Sequence, residues 1–117
     1  MRVLVIEDNA DLRDYLRLAL GAQGYEVLTA KNGREALGYL NGHVVDVVLT
    51  DLFMPEMDGI ETIAAVRRHF PKVRVLAMSG RPGVDYLKVA RELGVARSLR
   101  KPFEMDELLN ALKDGDA

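Results

Sequence analysis

The strongest constraint in this sequence is an alternation. Five short apolar runs, Val3 to Ile6, Glu26 to Ala30, Val44 to Thr50, Val73 to Met78 and Arg97 to Leu99, are each followed by a stretch with helical spacing. Short β-branched runs bounded by turn residues read as strands, and apolar residues at i, i+3 and i+4 read as one helix face. The first helical face carries Leu12, Tyr15, Leu16, Ala19 and Leu20, with Gly21 and Gly24 at its end. The second, Ala36, Leu37 and Leu40, lies between Asn32-Gly33 and Asn41-Gly42. The third, Ile60, Ile63, Ala64 and Val66, stops at Phe70-Pro71. The fourth runs Val84, Leu87, Val89, Ala90 and Leu93 to Gly94, and the fifth carries Met105, Leu108, Leu109 and Leu112. Strands that are apolar at nearly every position belong to parallel sheets covered on both faces. With right-handed crossovers the expected fold is α/β, an open doubly wound sheet of five parallel strands.

Composition narrows the function classes. At 117 residues the chain is expected to be one domain, 1–117, with no output module attached. Its 49% apolar and 29% charged residues fit a globular domain with its own core. There is no Cys, so neither a disulfide nor a thiolate metal site can form. Sixteen basic residues against eighteen acidic ones give a net charge of -2, without the basic excess of a nucleic-acid binder. No segment approaches the roughly 18 continuous apolar residues of a membrane helix. The first apolar run is too short for a signal peptide and is followed at once by Glu7-Asp8. A cytoplasmic location is expected, with no membrane contact and no direct nucleic-acid binding.

The acids fall at strand ends. The first strand ends in Glu7-Asp8 and the third in Asp51. In open α/β sheets ligands bind beyond the carboxyl ends of the strands. If those two strands are neighbours, three carboxylates meet at one spot. Singly, Asp8 would serve as a helix N-cap and Asp51 as a turn former. Together they repel one another unless a cation sits among them. Oxygen-only ligands suit Mg2+, a hard ion that keeps several waters. The fourth strand ends in Ser79-Gly80 and the fifth in Lys101-Pro102, adding a hydroxyl and a counter-charge for an anion. The longest connection, Asp51 to Gly59, starts at one of these acids, and long loops on compact scaffolds tend to carry function.

These residues resemble the response-regulator receiver domain, the CheY-like phosphoacceptor of two-component signalling. The resemblance rests on VLVIEDN, LTDLFMPEMDGIE, VLAMSG and LRKPF and covers essentially the whole chain. It implies a flavodoxin-like (βα)5 fold with strand order 2-1-3-4-5. It implies that Asp51 accepts a phosphoryl group as an acyl phosphate and that Asp8 ligates Mg2+ directly. Glu7 would act mainly through metal-bound water, and Asp51 with the Phe53 carbonyl would complete the protein's metal shell. Ser79 matches the hydroxyl that moves to the phosphoryl group, and Lys101 the Lys that pairs with it. A cis Lys101–Pro102 bond is implied as well. The partners implied are a sensor histidine kinase or histidine phosphotransfer protein, met near Asn9 to Arg13, and a downstream target. A homodimer through the fourth helix, fifth strand and fifth helix is a further possibility of the family. Ser98 departs from the pattern: an aromatic usually stands there, and Ser98 is too small to fill the same cavity. Phe53 and Arg81, which should flank the path of attacking water, are expected to tune the phosphate's lifetime.

Two rival readings have sequence consequences. A Mg2+-dependent Asp-nucleophile phosphohydrolase would usually carry a second Asp two residues past the nucleophile, where this chain has Phe53. A phosphate-independent interaction module has no use for Asp8, Asp51, Ser79 and Lys101 together. Other polar residues read as structural. His43 falls in a turn, His69 and Arg67-Arg68 lie on a charged helix end, Asp46 is at a strand start and Asp58 caps the third helix. Met54, Met57, Met78 and Met105 read as packing residues, and Gly33 and Gly59 as turn formers.

Overall fold

The β-branched runs pair into one parallel sheet because strands this apolar are stable only between two covering layers. A computed structural model describes residues 1–52, 59–80 and 86–113. In chain order the elements are β1 (Arg2–Ile6), α1 (Ala10–Ala22), β2 (Glu26–Ala30), α2 (Gly33–Gly42), β3 (Val47–Asp51), α3 (Gly59–His69), β4 (Arg74–Ser79), α4 (Tyr86–Glu92), β5 (Arg97–Arg100) and α5 (Met105–Lys113). The sheet order is β2-β1-β3-β4-β5, all parallel. The order reverses between β1 and β3, which are neighbours as the acid pattern requires.

Alternate residues of the central strands β1, β3 and β4 enter two separate cores. On one face Leu4, Ile6, Val48, Val75 and Ala77 pack with Ala36, Leu40, Ile63, Val66 and Ala90 from α2, α3 and α4. On the other Val3, Val5, Val47, Leu49, Leu76 and Met78 pack with Leu16, Leu20, Leu108 and Leu112 from α1 and α5. Helix ends are set by local chemistry. Asn9 caps α1 through Leu12 N, and Asn32 caps α2 through Glu35 N. Gly24, at φ +94°, turns the chain out of α1 into β2. The Arg74 guanidinium donates to the Ala111 and Leu112 carbonyls, both at 3.0 Å, and closes the last turn of α5.

The structure moves several expectations. β3 begins at Val47 rather than Val44, which is 80% exposed. Asp46 stands just before β3, and its carboxylate accepts the Arg2 backbone N–H at 2.7 Å. α1 continues through Gly21, and Tyr15 faces solvent. On α3, Thr62 is buried while Ala64 is exposed, and on α4 Val89 is partly exposed. Asn9, not Asp8, caps α1. His43, His69, Arg67 and Arg68 are exposed, and Met78 is core. Val84, Met54, Met57 and the expected Asp58 cap lie outside the described residues.

Candidate functional site

The carboxyl ends of β1, β3, β4 and β5 gather the expected side chains. Glu7 follows β1 directly and is 1% exposed; Asp51 closes β3 at 7% and Ser79 closes β4 at 4%. Lys101 follows β5, and its Nζ donates to Glu7 Oε1 and to Asp51 Oδ2, each at 2.7 Å. The Lys101 backbone N–H donates to the Ser79 carbonyl at 2.9 Å, and the Lys101–Pro102 bond is cis. Asp8 is exposed at the rim. Oxygens of Glu7, Asp8 and Asp51 all lie within 4.8 Å of one another. Phe53 and Arg81 lie outside the described residues.

The backbone around these groups is held tightly. Glu7 N–H donates to the Ala30 carbonyl at 3.0 Å, and Glu7 Oε2 accepts from Asn9 N–H at 3.0 Å. The Arg13 guanidinium donates to the Glu7 carbonyl at 2.8 Å. The buried Thr50 hydroxyl donates to the Asp51 carbonyl at 2.9 Å. Gly59 presses on the same segment: a Cβ there would stand 2.3 Å from the Asp51 carbonyl oxygen and 2.4 Å from Leu52 Cα. Arg13, Thr50 and Gly59 therefore belong to the site's support, which their sequence context did not show. Thr50 reads as a strand residue, Arg13 as part of the donor-facing stretch Asn9 to Arg13 and Gly59 as a turn former. Their contacts are made with backbone atoms nearby in the chain, which residue type alone does not announce.

Charge in the pocket is unbalanced. Burial pushes the Glu7 carboxyl above its ordinary 4.5; the Asp51 charge adds to this, and the bonds from Lys101 and Asn9 oppose it without cancelling it. Burial also works against the Lys101 ammonium. Its bonds to Asp51 and Glu7 outweigh that and hold it above 10.5. One ammonium thus faces three carboxylates. A cluster of carboxylate oxygens with surplus negative charge fits a hard divalent cation such as Mg2+. Beside the site, a groove of about 450 Å³ runs between α1 and the start of α5, lined by Leu12, Tyr15, Gly80, Pro102, Phe103 and Met105.

Comparison with known proteins agrees with this geometry. The family model described as response regulator receiver domain matches residues 3–113. Sporulation initiation phosphotransferase F of Bacillus subtilis (strain 168) is 31% identical over 112 residues, 96% of this chain and 90% of that protein. Virulence transcriptional regulatory protein PhoP of Salmonella typhimurium (strain 14028s / SGSC 2262) is 37% identical over 109 residues, 93% of this chain and 49% of that protein. Transcriptional regulatory protein GlrR of Escherichia coli (strain K12) is 35% identical over 112 residues, 96% of this chain and 25% of that protein. The chain therefore spans about a quarter of GlrR and half of PhoP. Among solved structures, the chemotaxis protein CheY4 of Vibrio cholerae superposes with a TM-score of 0.89 at 31% identity, covering 98% of both chains. The response regulator TrrA of Thermotoga maritima, in complex with Mg(2+)-BeF, superposes with a TM-score of 0.86 at 27% identity, covering 97% of this chain and 96% of that one. A match across nearly the whole length, in sequence and in fold, places this chain in the response-regulator receiver domain family, the receiving module of two-component phosphorelay signalling.

Proposed function

We propose that Asp51 is the phosphoryl acceptor of this receiver and that residues 1–117 act as one such domain. An Asp51 carboxylate oxygen attacks the phosphorus of a phosphohistidine. The O–P bond forms, the N–P bond breaks, and the departing imidazole nitrogen takes up a proton. Two anions must approach each other, so the task is positioning and charge neutralisation rather than covalent chemistry by further groups. Lys101 already touches Asp51 and brings a positive charge to the reacting oxygen. Ser79, at the next strand end, offers a hydroxyl to the transferred group. Glu7, Asp8, Asp51 and the Phe53 carbonyl would hold Mg2+, which supplies neutralisation of phosphoryl oxygens when bound. Phe53 and Arg81, by their positions two residues past Asp51 and Ser79, are expected to set how long the acyl phosphate lasts, checked by autodephosphorylation of Phe53→Asn and Arg81→Glu.

The observation that carries this reading is the double contact of Lys101 Nζ, 2.7 Å from both Glu7 and Asp51, inside a three-carboxylate cluster. Within the family a histidine kinase or phosphotransfer protein supplies the phosphoryl group, and the apolar groove beside α1 offers such a donor a place to dock. Transfer adds about −1.5 to −2 charge by analogy with other phospho-residues. Drawn toward that charge, Ser79 and Lys101 would bias β5 and α4 between two packings. The α4–β5–α5 face would then present the result to a target or a second copy. The test is incubation with a small phosphodonor and Mg2+, read by intact mass. Wild type gains one phosphoryl group and Asp51→Asn gains none; equal labelling of the two would overturn the assignment of Asp51.

A further inference from the structure

We infer that Arg13 is a positioning residue for the metal site, acting through the Glu7–Asp8 peptide; this rests on the reading of Glu7 and Asp8 as metal ligands. Glu7 has four polar attachments. Its N–H bonds the Ala30 carbonyl, and its carboxylate bonds Lys101 and the Asn9 N–H. The fourth is its carbonyl. The ladders of β1 with β2 and with β3 both end at Ile6, so this carbonyl lies beyond the sheet's own pairing. Arg13 supplies the donor, at 2.8 Å.

The consequence falls on Asp8. A peptide unit is planar, so fixing the Glu7 carbonyl fixes the Asp8 N–H and the direction in which Asp8 leaves the strand. Asp8 is exposed, and among the described residues no hydrogen bond or ion pair holds its carboxylate. Its place in the acidic cluster therefore depends on its backbone. Arg13 is suited to that task because helical side chains point back toward the N-terminus, over the loop that precedes α1. The helix beneath it is anchored by Leu16 and Leu20, both fully buried. Arg13 thus ties the rim of the site to a fixed body.

The sign of the effect separates this role from a simple charge. A guanidinium beside three acids repels a divalent cation, so as a charge alone its loss would tighten Mg2+ binding. As a positioning group its loss loosens binding. Partners that orient ligands are typically worth about 10–100-fold in metal affinity.

The experiment is Mg2+ titration by calorimetry of wild type, Arg13→Met, Arg13→Lys and Asp8→Asn, with amide exchange of Asp8 and Asn9 in metal-free protein. Arg13→Met is expected to bind Mg2+ about 10-fold more weakly and to exchange these amides faster. Arg13→Lys, which keeps a donor of similar reach, is expected to restore most of the affinity. Arg13→Met binding as tightly as wild type, or more tightly, overturns the inference, as does failure of Arg13→Lys to improve on it. If Arg13→Met does not fold, Arg13→Gln, whose amide falls short of the carbonyl, takes its place under the same criteria. Wild type that binds no Mg2+, or Asp8→Asn that binds it equally well, overturns the metal-site reading itself. A normal Asp8→Asn loss with an unaffected Arg13→Met removes only the role of Arg13.

Discussion

Glu7 combines nearly complete burial with a negative charge, and the fold bears a cost for it that depends on pH. Its folded carboxyl titrates above 4.5, while the unfolded one titrates near that value. Between the two, the folded state binds more protons, so stability falls as pH rises through the window. Metal-free wild type should therefore lose stability relative to Glu7→Gln as pH rises above 4.5, checked by urea melts of both from that pH upward. A difference that does not change with pH would show that burial does not control Glu7. Lys101 has the opposite relation: its contribution is complete below 10.5 and disappears only above that. At this scale the sequence was legible wherever a strand end carried a polar side chain: Glu7, Asp8, Asp51, Ser79 and Lys101 were all named from strand ends. Arg13 and Thr50 were not, because their work is done on backbone carbonyls, and a carbonyl's need for a donor leaves no mark in one-dimensional sequence.

Elements show where periodicity is enough and where it is not. The five strands and five helices were legible from alternating apolar patterns, because burial on two faces demands them. Boundaries were less so. Val44 and Val45 continue the β-branched run, yet Val45 enters the core from a loop and Val44 faces solvent. Gly21 lies inside α1 because a helix tolerates one glycine at a cost of about 1 kcal/mol. Gly59 shows the reverse, a glycine dictated by contact. A methyl there would strike the Asp51 carbonyl and the Leu52 Cα, and both are backbone atoms that cannot rotate away. Gly59→Ala is expected to cost about 2–3 kcal/mol in urea denaturation and to slow labelling of Asp51, since α3 must retreat from the end of β3. Full stability and full labelling would show that the loop absorbs the methyl freely.

Across the whole molecule, the two cores hold the sheet unequally. β1, β3 and β4 have strand neighbours on both sides and side chains buried on both faces, whereas β5 pairs with β4 alone over four residues. Local opening follows density of burial and pairing. Amide exchange should therefore show β1 and β3 opening only with global unfolding and β5 opening earlier, at a lower free energy. Equal protection of β3 and β5 would remove this gradient. Ser98 lies in that same strand, with its Oγ buried and without a hydrogen-bond partner among the described residues.

Lys101 extends from the end of this weakly held strand to two acids on strongly held ones. In mechanical terms the ammonium is a handle mounted on an edge plank of a deck, gripping two planks that are nailed down on both sides. A change in the charge it grips is expected to pull on β5 more than on β1 and β3, which are paired on both sides. Of the two edge strands, β2 and β5, only β5 leads into Lys101, so the pull is expected there before any partner binds.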